Sequence, residues 1–182
     1  MNLLISIIIP CYNSERFIAP TVEMLIRQDI SDCELILVND GSKDNTLSIL
    51  QQYEATNENI RVIDQPNQGV SVARNNGMLA ARGKYIYFLD SDDMLTEGTI
   101  SHFKQVITEY SGCQMFLFGY EMRRNNATYK SYVFPQFDRL TFSGRILQYN
   151  FLSKKLCCHI CSCIYDKAFI LENELTLKPG LK

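Results

Sequence analysis

The sequence has no apolar run long enough to cross a bilayer. Its opening, MNLLISIIIP, is much shorter than the roughly 20 residues that a membrane helix needs. It also lacks the basic start of a signal peptide, so we interpret it as a buried first strand. The net charge is only −2 over 182 residues, which gives no general argument for nucleic acid as a partner.

Two common nucleotide-binding signatures are also missing. The sequence contains neither GxGxxG nor a phosphate loop ending in Gly-Lys-Ser/Thr, which disfavours a dinucleotide-dependent enzyme or an NTPase. It has no internal repeat, linker or low-complexity segment. The hydrophobic content is 46%, and a chain of this length suits one domain, 1–182, with a full core.

The seven cysteines are odd in number and irregularly spaced. Together with the missing secretion signal, this predicts reduced thiols and a cytoplasmic location. Cys158 and Cys161 form a CxxC that invites a zinc interpretation. We instead predict a strand over Cys157–Tyr165, along which the cysteines would be spread over on the order of 20 Å, too far for one tetrahedral site. We therefore expect reduced cysteines that pack a buried strand. As an alternative, His159 could face a cleft that binds a ligand.

Strand-like apolar runs alternate with helical patterns over the first 119 residues. The predicted strands are Leu3–Ile9 (closed by Pro10), Glu34–Asn39, Ile60–Asp64, Tyr85–Leu89 and Met115–Gly119. Four helices are predicted between these strands. The first is capped by Asn13 or Ser14, and the second is capped by Ser42 or Asp44 and ends near Tyr53. The third is Val70–Ala81, with Val70, Ala73 and Gly77 on its packed side, and the fourth is Thr99–Tyr110, capped near Thr96. Short links between strands and helices predict an α/β fold with a mostly parallel sheet and helices on both faces.

The pattern is weaker beyond residue 119. Residues 120–140 indicate a hairpin or another excursion from the sheet, and Ser143–Phe151 and Lys167–Asn173 are predicted helices. The basic pairs Arg123-Arg124 and Lys154-Lys155 are interpreted as solvated surface charge, with contact to a lipid-linked phosphate or the inner leaflet as the alternative. The aromatic residues here either pack the hairpin or line an acceptor cleft; they are Tyr129, Tyr132, Phe134 and Phe137.

Polar clusters follow each of the first four strands: PCYNSE, NDGS, QPNQG and DSDD. Because ligands bind at the carboxyl ends of parallel strands, we expect these loops to meet at one edge of the sheet. Asp90 and Asp92 are two positions apart, so in extended backbone they project to the same side. Such a pair suits Mg²⁺ or Mn²⁺; an acidic turn that caps the next helix is the alternative.

The other loops carry weaker signals. Asp40 lies either in a tight turn and helix cap or accepts hydrogen bonds from a base or ribose, since a carboxylate repels phosphate. Gly69 precedes a helix whose first amides could meet an anion. Arg74 lies one turn further, where a guanidinium could pair with phosphate.

Three segments in this order, SIIIPCYNSERFI, ELILVNDGSKDNT and NQGVSVARNNGMLAARGKYIYFLDSDD, resemble the family-two inverting glycosyltransferases of GT-A fold. The match covers roughly the first 110 residues, and CSCIYDKAFILENEL matches more loosely. The resemblance implies a GT-A, Rossmann-like fold. It also implies a donor-binding half over 1–110 and the start of an acceptor half over 111–182.

The resemblance further implies a nucleotide-sugar donor, often UDP-linked, and a divalent metal, Mn²⁺ or Mg²⁺, held by Asp92. By position it implies that Pro10, Tyr12 and Glu15 line the base and ribose and that Asp40 contacts the uracil. Gln65 to Gly69 and Arg74 would border the nucleotide and sugar. Asp90 and Ser91 would lie by the ribose, and Asp93 by the donor sugar or the waters of the metal.

The implied reaction moves a sugar to an acceptor hydroxyl with inversion, in cell-surface polysaccharide or glycolipid biosynthesis. The acceptor would be a saccharide or lipid-linked, the location the cytoplasm or the inner face of the membrane, and no nucleic acid would take part. The family's base is an aspartate in the loop that LTLKPGLK approaches, so we expect it just after Lys182 and expect the chain to be truncated there. Asp166, Glu172 and Glu174 are interpreted as a solvated helical face.

Two alternatives remain. One is a module that binds a nucleotide sugar but does not transfer it. The other is a nucleotidyltransferase, which would need a glycine-rich, basic triphosphate loop after the first strand. PCYNSERF offers only Arg16 there, which counts against this alternative.

Overall fold

The computed structural model describes residues 3–124, 127–132 and 159–180. In chain order the elements are β1 (Ile5–Cys11), α1 (Ile18–Ile26), β2 (Cys33–Asp40), α2 (Thr46–Thr56), β3 (Ile60–Gln65), α3 (Val70–Ala80), β4 (Tyr85–Phe88), α4 (Thr99–Glu109), β5 (Met115–Leu117), β6 (Tyr120–Arg124), β7 (Ala127–Tyr132), a 3₁₀ turn (Ile160–Ser162), β8 (Cys163–Asp166) and α5 (Lys167–Glu172).

The chain divides into two compact units. The first comprises Met1–Met115 and Ile164–Lys182 and contains α1 to α5 with most of the main sheet. The second comprises Phe116–Cys163 and contains the antiparallel hairpin of β6 and β7. This hairpin confirms the prediction for 120–140 as far as the described residues extend.

The main sheet has the strand order β3-β2-β1-β4-β8-β5. The pairs β3–β2, β2–β1 and β1–β4 are parallel, whereas β8 is antiparallel to β4. Every residue of β1 and β2 is buried, as expected for central parallel strands that are covered on both faces. The predicted α/β fold with a mostly parallel sheet is thus confirmed.

Strand β1 continues through Pro10 to Cys11, so the prediction that Pro10 closes the strand is wrong. The pairing of β1 with β4 ends at Ile8, while its pairing with β2 continues to Cys11. The carbonyl of Ile8 accepts from Leu89 N, so the backbone of Ile8, and by alternation that of Pro10, faces the β4 side. Since β4 has already ended there, the missing N–H of Pro10 costs no ladder bond.

Helix α1 begins at Ile18, and the prediction that Asn13 or Ser14 caps it is wrong. The carbonyl of Ser14 accepts from Phe17 N and Ile18 N, which forms a turn before the helix. Pro20 therefore lies in the first helical turn, where no N–H partner is needed. This start leaves the side chain of Ser14 available to the loops of the sheet edge.

Three further helix predictions need correction. Helix α2 is preceded by Asn45 rather than capped by Ser42 or Asp44, and it runs beyond Tyr53 to Thr56. Asp44 Oδ1 still accepts from Thr46 N, the first residue of the helix, at 3.0 Å. Helix α4 is preceded by Gly98 at φ 78° rather than capped by Thr96. In α3, Ala73 and Gly77 are buried as predicted, but Val70 is 47% exposed because it begins the helix at the sheet edge.

The predicted strand over Cys157–Tyr165 is wrong in its first part, because Ile160–Ser162 forms a 3₁₀ turn. Ser162 Oγ donates to the carbonyl of His159 at 2.8 Å and accepts from His159 N at 3.2 Å, which closes the turn. The strand β8 starts only at Cys163, which is buried. The expected alternation along one face therefore does not include Cys161.

Several predictions lie outside the described residues: the helix Ser143–Phe151, the basic pair Lys154-Lys155, Cys157, Cys158, Phe134 and Phe137. Among the helices that the structure describes, none combines the length and apolar character needed to span a membrane.

Candidate functional site

The loops that follow β1 to β4 lie at the carboxyl edge of the sheet, as predicted, and they are tied together by hydrogen bonds. The loop after β1 contacts the loop after β2 through Asn13, whose N–H donates to Ser42 Oγ at 3.0 Å and whose Oδ1 accepts from Lys43 N at 2.8 Å. Asn13 adopts φ 51°, a conformation that asparagine tolerates better than most residues. These contacts fix the two loops against each other.

Glu15 belongs to the same contact, because its Oε2 accepts from Asn45 N at 3.0 Å. In return, Glu15 N donates to Asp44 Oδ2 at 3.2 Å. Slight burial opposes ionisation of Asp44, but the hydrogen bonds from Thr46 and Glu15 outweigh it and lower the pKa of the carboxyl. The structure thus places Glu15 at the start of α2, with an exposed side chain.

Pro10 and Tyr12 flank the end of β1. Pro10 is buried, whereas Tyr12 is 48% exposed although it follows a fully buried strand. An exposed aromatic ring at a ligand edge offers a flat apolar surface for stacking. Tyr12 is therefore the more suitable of the two for contact with a base.

Asp40 is buried at the end of β2 and is surrounded by donors from the loop after β3. Its Oδ1 accepts from Gln65 Nε2 at 2.8 Å and from Gln68 N at 2.9 Å, and its Oδ2 accepts from Gly69 N at 2.8 Å. These bonds hold the loop that leads into α3. The amide of Gly69 is engaged by Asp40, so any anion at this helix start would meet the amides that follow.

Gly41 lets the loops after β2 and β3 approach closely. It adopts φ 66°, and a Cβ built there would lie 2.5 Å from Asn67 N. Asn67 Nδ2 in turn donates to the carbonyl of Asp40 at 2.9 Å. Any side chain at 41 would be strained and would push these loops apart.

The acidic turn after β4 contains carboxylates in two different environments. Arg74 Nη2 lies 2.5 Å from Asp90 Oδ1, so the charge of Asp90 is balanced. Asp92 is exposed and makes no hydrogen bond or ion pair with the described part of the chain. Asp93 is exposed as well, and its N–H donates to the carbonyl of Asp90 to form the turn. The structure therefore assigns different surroundings to the two aspartates that the sequence pairs.

The backbone of this turn is held by residues of the loop and helix that follow β1. Thr21 Oγ1 donates to the carbonyl of Ser91 at 2.9 Å, and Ser14 Oγ lies 2.9 Å from Ser91 Oγ. Ser14 N also donates to Thr46 Oγ1 at 2.8 Å. A chain of short polar contacts thus connects the acidic turn with the start of α2.

The sequence did not indicate that Ser14 and Thr21 support this turn, nor that Asn76 Nδ2 donates to Gln65 Oε1 at 2.6 Å. Thr21 occupies a buried position on α1, where an apolar pattern alone does not distinguish it. The only available signal was the position of these small polar residues close to the predicted sheet edge.

The donor groups at this edge fit a divalent cation with a phosphate. Carboxylate oxygens such as those of Asp92 are the ligands that Mg²⁺ and Mn²⁺ prefer. The buried Nε of Arg74 has no hydrogen-bond partner among the residues described, and an unsatisfied buried donor is costly unless another group approaches it. An anionic oxygen near Arg74 would satisfy it.

The described chain thus combines a mostly parallel α/β sheet with an acidic turn, a paired arginine and a buried aspartate at the carboxyl ends of its strands. The model of the family described as "Glycosyl transferase family 2" matches residues 6–171. The chain belongs to glycosyl transferase family 2, which confirms the resemblance.

Two curated relatives come from Bacillus subtilis (strain 168). The "uncharacterized glycosyltransferase EpsJ" is 41% identical over 135 residues, which is 74% of this chain and 38% of that protein. The "putative teichuronic acid biosynthesis glycosyltransferase TuaG" is 37% identical over 126 residues, 69% of this chain and 50% of that protein. The chain thus spans half or less of the length of these relatives.

A solved structure, S. aureus TarS 1-349 in complex with UDP-GlcNAc, has a similar fold. The TM-score is 0.75 at 26% sequence identity, with 98% of this chain and 50% of that chain covered.

Proposed function

We propose that this chain forms the donor-binding core of an inverting, metal-dependent glycosyltransferase. In this proposal a nucleotide sugar, with UDP as its nucleotide, binds at the carboxyl edge of the sheet and its sugar passes to an acceptor hydroxyl. Membership of glycosyl transferase family 2 and the fold shared with a TarS structure that holds UDP-GlcNAc support the donor class. The relative named as a putative teichuronic acid biosynthesis glycosyltransferase supports a saccharide or lipid-linked acceptor.

The proposal rests on the difference between the surroundings of two aspartates in the acidic turn. Asp90 is paired with Arg74, while Asp92 is exposed and has no such partner in the described chain. In our proposal Asp92 holds the metal and Asp93 supports the donor sugar or metal-bound waters. Arg74 donates to the diphosphate through its buried Nε, which otherwise lacks a partner among the described residues.

The nucleotide would lie across the loops after β1 and β2. Tyr12 offers an exposed ring for the base, with Pro10 and Glu15 beside it. Asp40 orients the loop of Gln65 to Gly69. In this proposal Asp40 also accepts a hydrogen bond from the base, and Ser91 lies by the ribose. When bound, a divalent cation would neutralise charge that develops on the departing diphosphate.

Inversion requires a base that takes the proton from the acceptor hydroxyl. Asp166 is unsuited to this role, because its Oδ1 accepts from Phe169 N at 2.9 Å and caps α5. We place the base outside the described residues, in the loop that follows the segment LTLKPGLK. A cytoplasmic location, with the inner face of the membrane as its alternative, belongs to the same proposal and rests on the free thiols of Cys11, Cys33 and Cys113.

Calorimetric titration of the chain with UDP, with and without MnCl₂, tests the donor site. We expect binding that requires Mn²⁺ and that weakens at least about tenfold in Asp92→Asn, since even residues that only support a metal ligand contribute about 10–100-fold to metal affinity. Glu58→Gln is the matched control, because it removes one exposed charge just before β3, at the opposite edge of the sheet. Equal UDP affinity in Asp92→Asn and Glu58→Gln would refute the proposed metal site.

Acceptor-dependent release of UDP from a UDP-sugar, measured on a protein that includes the loop in which we place the base, separates an enzyme from a binding module. The assay compares a panel of saccharide and lipid-linked acceptors with water as the control. Release that rises with acceptor concentration supports transfer, whereas Mn²⁺-dependent UDP binding without any release favours the module.

A further inference from the structure

Three consecutive side chains of α3 contact three different segments of the first unit. Arg74 pairs with Asp90 after β4, and Asn76 Nδ2 donates to Gln65 at the end of β3. Asn75, between them, contacts Leu177 in the segment that follows α5. Successive residues of an α-helix point about 100° apart, which explains how neighbouring side chains serve separate partners.

The contact between Asn75 and Leu177 is reciprocal. Asn75 Nδ2 donates to the carbonyl of Leu177 at 2.9 Å, and Leu177 N donates to Asn75 Oδ1 at 3.0 Å. The side-chain amide thus satisfies both backbone groups of one residue, as the edge of a neighbouring strand would. The two residues are 102 positions apart, so the pair fixes a contact distant in sequence.

The segment 175–180 has little other support. It follows a turn at Glu174 with φ 52°, and it contains no helix or strand. Leu175 N donates to the carbonyl of Ile170, but for 176–180 the hydrogen bonds that the described chain supplies are the two with Asn75. The hydrogen bonding of this segment therefore depends on one side chain of the helix that also carries Arg74.

We propose that Asn75 is a positioning residue, which fixes segment 175–180 against the helix that carries Arg74 and links the order of this segment to occupation of the donor site. The inference rests on the proposed function. A diphosphate bound by Arg74 would hold the second turn of α3, and Asn75 lies in that same turn. Asn75 and Arg74 thus connect two different segments to the same turn of one helix.

Hydrogen–deuterium exchange of peptides that cover 173–180 tests this inference. In the absence of ligand we expect Asn75→Ala to raise exchange there about tenfold, the effect of losing roughly one net hydrogen bond. Asn75→Asp keeps an acceptor for Leu177 N but loses the donor, so its exchange should be intermediate. UDP with Mn²⁺ should slow exchange of these peptides in the original chain but not in Asn75→Ala, with UDP affinity of both proteins equal within about twofold.

Leu79→Ala is the matched control, because Leu79 is on the same helix and 69% exposed. It should leave both exchange and UDP affinity unchanged. Exchange in Asn75→Ala equal to that of the control would overturn the positioning role, as would slowing by UDP and Mn²⁺ of equal size in Asn75→Ala and in the original chain. If the original chain does not bind UDP, the proposed function fails, while the ligand-free comparison of Asn75→Ala, Asn75→Asp and Leu79→Ala still decides whether Asn75 fixes the segment.

Discussion

Arg74 Nη2 and Asp90 Oδ1 lie 2.5 Å apart, which joins the second turn of α3 to the acidic turn after β4. The side chain of Arg74 is 14% exposed, and that of Asp90 is 40% exposed. This environment differs from that of the ion pair between Arg27 and Glu23, whose side chains are 79% and 53% exposed. The first pair is thus less screened by water than the second.

We expect a double-mutant cycle of Arg74→Gln and Asp90→Asn to give a coupling of about 1 kcal/mol in the free energy of unfolding. The same cycle on Arg27→Gln and Glu23→Gln should give no more than about 0.5 kcal/mol, as is usual for exposed helical pairs. Urea denaturation measures both. Equal coupling in the two cycles would mean that burial of Arg74 contributes nothing to the pair.

The acidic turn is also expected to depend on Thr21, whose hydroxyl donates to the carbonyl of Ser91. Thr21→Val keeps the shape but removes the donor, so one buried carbonyl loses a partner. We expect Mn²⁺-dependent UDP binding to weaken about three- to tenfold in Thr21→Val, the equivalent of roughly 1 kcal/mol. Thr21→Ser keeps the hydroxyl and should bind as the original chain does. Calorimetry of the three proteins at matched MnCl₂ checks this; similar affinities for Val and Ser would contradict it.

Much of the fold could be predicted because its central strands are buried on both faces. Continuous apolar runs such as Leu35–Val38 then mark strands directly, and the rule for parallel sheets brings the following loops together. Element ends were less predictable. Pro10 stays in β1 only because β4 has already ended beside it, and Ser162 closes a turn with His159 where a strand pattern was expected.

The sequence predicted which residues form the candidate site, but it did not predict which of them contact each other. The acidic turn and Arg74 are visible in sequence, whereas their pairing depends on how α3 packs against the sheet. The contacts of Thr21 with Ser91 and of Asn75 with Leu177 use backbone carbonyls and amides. Every residue except proline offers both groups, so the sequence does not show which residue is the partner.

The packing of α3 on the sheet leads to a prediction about Gly77. A Cβ at this position would lie 2.4 Å from Ile8 Cγ2 and 3.2 Å from Val38 Cγ2. Gly77→Ala gains helix propensity of about 1 kcal/mol, but overpacking of two buried strands costs about 1–3 kcal/mol. We therefore expect net destabilisation of up to about 2 kcal/mol in urea denaturation. Leu79→Ala, on the exposed side of the same helix, should change stability by less than about 0.5 kcal/mol, and a stabilised Gly77→Ala would contradict the close approach.

Burial also sets the reactivity of two cysteines in the sheet. It raises the pKa of the Cys11 thiol, and it raises the pKa of Cys33 to about 12, although the charge of Lys104 acts in the opposite direction. Since the thiolate is the nucleophile, a pKa near 12 leaves only about 10⁻⁴ of Cys33 reactive at pH 8. We expect iodoacetamide at pH 8 to leave Cys11 and Cys33 unmodified in the folded protein, and peptide mapping to show faster modification of the half-buried Cys113.

The same shifts predict a pH dependence of stability. Each thiol binds its proton more tightly in the folded state than in the unfolded chain, where the ordinary value is 9.0. Their contribution is therefore complete below about pH 9 and decreases as the pH rises from 9 toward 12. Urea denaturation at pH 8 and pH 10 measures the decrease in the free energy of unfolding. Cys33→Ala removes one of the two thiols with a raised pKa and should make this decrease smaller. An identical decrease in Cys33→Ala would mean that other groups, such as lysines and tyrosines, cause the alkaline loss.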